Sequence, residues 1–64
     1  MKDNQIIRVG WFMKKYQKFD IRVGKFDKES REFISKNGQR CITFFDLYRN
    51  RYTTAVNYFL SEVK

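Results

Sequence analysis

The sequence lacks most of the residues with which small proteins are cross-linked or equipped for catalysis. Its 64 residues include no proline and no histidine, and cysteine occurs once, as Cys41. A single cysteine excludes a disulfide within the chain. Without histidine, the carboxylates and one thiol are too few for a structural metal site. We therefore expect neither a metal nor a cofactor.

Long hydrophobic runs are also missing. No stretch approaches the ~20 apolar residues that span a membrane, and the N-terminal segment lacks the apolar run and cleavage site of a signal peptide. A lone thiol is typical of a reducing compartment. The expectation is an intracellular protein without a membrane partner.

The composition does not favour an enzyme. Acid–base catalysis near neutral pH usually draws on histidine or on paired carboxylates in a pocket, and here the acids are scattered through predicted turns and strand exteriors. Cys41 has no base nearby in the sequence to activate it, so it is interpreted as a small apolar strand residue. We expect no catalytic residue and no small-molecule substrate.

The chain is predicted to form one domain, residues 1–64, with a loose polar N-terminus at residues 1–5. A domain of this size buries only ~60% of the surface of its unfolded chain. Because small domains without disulfides or metals are often stabilised by association, a homodimer is expected.

What the sequence has in excess is positive charge and aromatic rings. The formal charge is +7, and 19% of the residues are aromatic. Cations interleaved with exposed rings favour single-stranded nucleic acid, because the cations follow the phosphates and the rings stack with unpaired bases. The alternative is a small basic interaction module that docks on an acidic protein.

Alternation with period two predicts four strands, at residues 6–14, 19–26, 33–35 and 40–45. On the second strand, the apolar side formed by Phe19, Ile21 and Val23 is assigned to the core, and Arg22 to the opposite side. The dipeptide Asn37-Gly38 predicts a tight hairpin between the third and fourth strands.

Residues 47–63 predict an amphipathic helix, which Asp46 would cap at its N-terminus. The apolar stripe, assigned to the core or to a dimer seam, contains Tyr48, Tyr52, Ala55, Val56, Phe59, Leu60 and Val63. The predicted fold is thus α+β, a four-stranded antiparallel sheet followed by one helix (ββββα). The alternative is a small SH3-like β-barrel with a turn at residues 49–51, a fifth strand at residues 52–56 and a short helical turn at residues 57–59.

The candidate nucleic-acid-binding residues lie on the strand sides opposite the predicted core and at adjoining turns. Arg8, Phe12, Lys14 and Arg22 are expected to converge on one sheet face. The full set is Arg8, Phe12, Lys14, Lys18, Arg22, Phe26, Lys36 and Arg40.

Two sequence segments carry a family resemblance. Residues 18–22 (KFDIR), followed after a charged turn by residues 38–44 (GQRCITF), resemble the single-stranded-DNA-binding domain of the transcriptional coactivator positive cofactor four and its small bacterial relatives. The resemblance implies a dimeric ββββα unit that binds single-stranded DNA across its sheets and serves transcription or replication. It places Arg22 at the strand arginine and Arg40 at the basic residue before Ile42 and Thr43. Cys41 departs from the pattern, which has glycine there, and the usual helix tryptophan is absent.

Overall fold

A computed structural model describes residues 3–62, and these residues form six β-strands and no helix. The strands are β1 (Gln5–Met13), β2 (Lys18–Phe26), β3 (Arg31–Ile34), β4 (Arg40–Asp46), β5 (Arg51–Val56) and β6 (Phe59–Glu62). Every pairing between them is antiparallel. No helix in this part of the chain is therefore long and apolar enough to cross a membrane.

The sheet curls into a half-barrel. Strand β1 lies between β2 and β6, and β2 continues the sheet by pairing with the end of β4 at Gly24 and Lys25. Strand β3 pairs with the first half of β4, and β5 pairs along its other edge. Strand β5, which pairs with β4, leads directly into β6, which pairs with β1. This connection brings the two ends of the sheet toward each other, and the sheet curves around its inner side.

The core fills that inner side. It is built from alternating residues of β1 and β4, together with Ala55 of β5 and Tyr58 between β5 and β6. The buried cluster comprises Ile7, Val9, Trp11, Ile42, Phe44, Ala55 and Tyr58, with Met13 and Phe26 packed against it. Strand β2 leaves room for the Phe44 ring at Gly24. A Cβ placed on Gly24 would lie 2.3 Å from that ring, so a larger residue does not fit there.

The predicted helix at residues 47–63 is wrong, although its start signal is real. Asp46 Oδ1 accepts hydrogen bonds from the backbone N–H groups of Tyr48 and Arg49, and the Asn50 N–H donates to the Asp46 carbonyl. This single turn stops at Asn50, whose φ of +57° is left-handed. Strand β5 then begins at Arg51. The ββββα topology, and with it the fold that the family resemblance implies, is replaced by an all-β half-barrel.

The helical spacing of the apolar residues arises from two short strands joined by a bend. Asn57, with φ of +52°, turns the chain between β5 and β6 and resets the alternation of sides. Ala55 of the predicted stripe is buried, and so is Tyr58, which does not belong to the stripe. The other described members of the predicted stripe are exposed: Tyr48, Tyr52, Val56, Phe59 and Leu60. Val63 lies outside the described residues. The alternative of a turn followed by a fifth strand in a small β-barrel fits the structure, except that residues 57–59 form a bend and the start of β6 instead of a helical turn.

The predicted sides of β2 are also reversed. Phe19, Ile21 and Val23 point outward, while Arg22 pairs in register with the fully buried Val9. Period-two alternation separates two sides of a strand without stating which side faces the core. Here Phe44 requires a glycine on the inner side of β2, and carboxylates on that side neutralise Arg22.

Candidate binding face

An exposed apolar surface covers the outer side of β1, β2 and β6. We call it the aromatic face and define it by Phe12, Phe19, Ile21, Val23 and Phe59, all of which are exposed. Strand register brings them together, because Phe12 lies opposite Phe19 while Gly10 lies opposite both Ile21 and Phe59. Directly paired residues point to the same side of a sheet.

The three phenylalanines form a row of rings. The Phe12 and Phe19 centroids are 5.5 Å apart with nearly perpendicular planes, and the Phe19 and Phe59 centroids are 6.4 Å apart. Gly10 makes the row possible, since a Cβ at this position would lie 2.3 Å from the Phe59 ring. Phe19 is the most open of the three, with 66% of its surface exposed.

Positive charge lies beside this row. Arg8 shares the outer side by its register with Val23 and Ser61. Lys14 and Lys15 occupy the turn that follows β1, and both are exposed. Among the side chains that the structure describes, Arg22 is the only cation that forms an ion pair. The cations near the rings are therefore available to an anionic ligand.

Arg22 belongs to the other side of the sheet. Its guanidinium lies 2.7 Å from Asp20 and 4.0 Å from the buried Asp46, and it stacks over the Tyr48 ring at 5.7 Å. Asp46 Oδ2 makes no hydrogen bond within residues 3–62, and among the described residues Arg22 is the one cation within 4.0 Å of it. The expectation that Arg22 converges with Arg8 and Phe12 is wrong, because the strand pleat sends it inward.

The remaining sequence candidates are spread over the molecule. Lys18 pairs with Met13 at the β1–β2 hairpin end, Phe26 packs half-buried against the core, and Lys36 is in the β3–β4 turn. Arg40 donates to the Tyr58 carbonyl at 2.6 Å and lies over that residue's ring. Of the predicted set, the aromatic face thus contains Phe12, with Arg8 on the same side of the sheet and Lys14 in the turn after β1.

A cleft of about 400 Å³ opens at the same end of the molecule, between the last residues of β1 and β5. Trp11, Met13 and Val56 supply apolar walls, and Phe12 joins the cleft to the aromatic face. Its polar lining is Lys14, Lys15, Gln39, Thr54 and Asn57. Trp11 is only 7% exposed and packs edge-on against Phe44 at 6.1 Å.

Two tyrosine–carboxylate hydrogen bonds join segments that are distant in the sequence. The Tyr52 hydroxyl donates to Asp27 at 2.5 Å, which raises the pKa of Tyr52 to about 12 and lowers the pKa of Asp27. Burial, followed by a hydrogen bond to Glu32 at 2.8 Å, raises the pKa of Tyr58 to about 12. Both phenols stay protonated near neutral pH, and we assign them to structure.

Sequence reasoning missed Phe19, Ile21, Val23 and Phe59 as surface residues, as well as Lys15. Gly10 is the sequence signal that could have pointed to Phe59, because a glycine inside a strand marks a position where another group can approach the backbone closely, and the Phe59 ring does so here. Comparisons give no further guide: no family model, curated protein or solved structure matches this chain.

Proposed function

We propose that the protein binds single-stranded nucleic acid along the aromatic face, with little sequence preference. The observation that carries the proposal is the row of three exposed phenylalanine rings with unpaired cations beside it, on a chain of formal charge +7. Exposed rings provide stacking surfaces that any base can use, and neighbouring cations bind the phosphates. We propose an intracellular site of action, in transcription or replication, where such strands occur.

The arrangement favours a single strand over a duplex. Bases in a duplex are stacked on each other and expose only their edges in the grooves, so the Phe12, Phe19 and Phe59 rings would have no base surface to contact. Within residues 3–62 there is also no α-helix that could enter a major groove. Unpaired bases can instead lie on the rings.

The proposal is tested with labelled oligo-dT, the matching duplex and oligo-U, each titrated at two salt concentrations. We expect oligo-dT to bind more tightly than duplex, and Phe19→Ala to weaken its binding by about 1–3 kcal/mol. Phe33→Ala is the matched control, because Phe33 is an exposed phenylalanine on β3, away from the row. Equal loss in both variants, or equal affinity for duplex and single strand, would contradict the proposal.

A second candidate is a protein-binding face, and the second copy of the chain is its simplest partner. Ile21 and Val23 favour it, because 55% and 41% of their surfaces are exposed although aliphatic side chains offer bases no ring to stack on. Contiguous exposed apolar residues often mark protein interfaces. Light scattering should then report twice the chain mass of 7.9 kDa, and Ile21→Thr should restore the monomer. In that case oligo-dT would compete with dimer formation or would not bind.

A further inference from the structure

We propose that the cleft between the ends of β1 and β5 holds one unstacked nucleobase, with its phosphate at Lys14 and Lys15. The inference rests on the proposed function and deepens it, since it names the unit of the strand that the cleft accepts. At about 400 Å³ the cleft lies within the ~300–1,000 Å³ range of small-ligand pockets.

The apolar walls suit the faces of a heterocycle. Trp11, Met13 and Val56 line the cleft, and Phe12 stands at its junction with the aromatic face. A base that leaves the ring row at Phe12 therefore has a continuous apolar path into the cleft. Stacking against aromatic side chains is the usual way in which proteins hold unpaired bases.

Two amides offer hydrogen bonds to the edge of a base. Gln39 and Asn57 both line the cleft, and neither side-chain amide is hydrogen-bonded to any other residue in the part of the chain that the structure describes. Each amide carries one carbonyl acceptor and one NH₂ donor. The edges of nucleobases present donors and acceptors side by side, which amide groups can match.

The charge of the cleft selects an anionic ligand over an apolar peptide. Lys14 and Lys15 are both exposed at its rim, and neither forms an ion pair with a described side chain. The Lys15 ammonium lies 5.6 Å from the Tyr16 ring centroid. Two ammonium groups next to an apolar slot with free amides match a base that is joined to a phosphate.

Trp11 makes the proposal measurable, because it is the chain's single tryptophan and lines the cleft. Its fluorescence is recorded during titrations with oligo-dT, thymidine monophosphate and ribose 5-phosphate. We expect the first two to quench Trp11, the mononucleotide at higher concentration, and the sugar phosphate to leave it unchanged. Gln39→Leu keeps the size of the side chain and should weaken both nucleotide ligands about 3- to 10-fold without changing the salt dependence.

The lysines have a separate readout. The slope of log affinity for oligo-dT against log salt is negative, and Lys14→Ala with Lys15→Ala should reduce its magnitude by about 1.4, the value for two phosphate contacts on a single strand. Lys36→Ala, in the β3–β4 turn, is the control and should leave Trp11 quenching by thymidine monophosphate unchanged.

The outcomes separate this inference from the proposed function. If oligo-dT binds in a Phe19-dependent way while Trp11 emission and Gln39→Leu show no effect, the cleft inference is wrong and the proposed function stands. If thymidine monophosphate quenches Trp11 but oligo-dT binds no better than duplex, the cleft is a nucleotide site and the proposed function fails. If neither ligand binds, both are overturned.

Discussion

Two glycine–phenylalanine pairs on opposite sides of the same hairpin show how one local device serves two purposes. Phe44 crosses Gly24 on the inner side and is completely buried, whereas Phe59 crosses Gly10 on the outer side and is 48% exposed. In both pairs a Cβ on the glycine would lie 2.3 Å from a ring atom. The difference shows that ring-on-glycine packing positions a side chain without deciding whether it becomes core or surface.

Removing each ring in turn should give the largest difference in stability between the inner and the outer pair. Phe44→Ala takes a fully buried ring from the core and should lower the free energy of unfolding by about 3–5 kcal/mol, enough to unfold a domain of this size. Phe59→Ala removes a half-exposed ring and should cost about 1 kcal/mol or less. Urea titrations followed by Trp11 fluorescence measure both variants. A cost for Phe59→Ala as large as that for Phe44→Ala would mean that the outer side is packed like a core.

Substituting the glycines tests the same comparison more gently. At Gly24 an added methyl meets the buried Phe44 ring and, at 2.7 Å, the Phe45 carbonyl oxygen, so Gly24→Ala should destabilise the protein by about 1–3 kcal/mol. At Gly10 the three atoms nearest to the methyl all belong to the far end of the Phe59 ring, and this half-exposed side chain can rotate away. Gly10→Ala should therefore change stability by about 0.5 kcal/mol or less, since alanine is otherwise favoured over glycine in a strand.

These two variants should also differ in binding. Gly10→Ala moves Phe59 out of the ring row and should weaken oligo-dT while the protein stays folded. Thermal melting and fluorescence anisotropy on the same samples check both statements. If the Gly10→Ala variant melts well below the parent protein, the Phe59 ring is held in place and cannot rotate away from the added methyl.

The two strand arginines extend the comparison from rings to charge. Arg22→Ala leaves the buried Asp46 without the cation that lies 4.0 Å from it and should destabilise the fold by about 1–3 kcal/mol. Arg8→Ala, on the outer side, should change stability by about 0.5 kcal/mol or less while weakening oligo-dT in a salt-dependent way. Chemical denaturation of each variant, paired with a salt titration, measures this contrast. A larger loss of stability for Arg8→Ala than for Arg22→Ala would contradict the assignment of Arg22 to the inner side of the sheet.

Local sequence signals were accurate where one short segment determines the outcome. The strands β1 to β4 and the Asn37-Gly38 hairpin are present, with Gly38 at φ +78°. Asp46 does satisfy the backbone N–H groups after it. The turn fails to continue as a helix because Asn50 adopts a left-handed conformation and residues 51–56 find a pairing partner in β4. That partner lies earlier in the chain and is invisible to the spacing of residues 47–63.

The sequence predicted the chemical character of the candidate site but not most of the residues that form it. Cationic charge and surplus aromatic rings follow from composition, and Arg8 and Phe12 share an outer surface as expected. Phe19 and Phe59 could not be assigned to that surface, because each looks like a core residue within its own segment. Their exposure depends on the register of β2 and β6 against β1.

By itself the sequence determined the positive charge, the absence of an intrachain disulfide and the presence of the first four strands, because these properties depend on composition and on neighbouring residues alone. Only the tertiary structure decided that residues 51–62 are strands and which side of β2 is buried. The reason is physical: strand partners and burial come from contacts between distant segments, and a glycine beneath Phe44 with a carboxylate beside Arg22 makes the polar side of β2 the inner one.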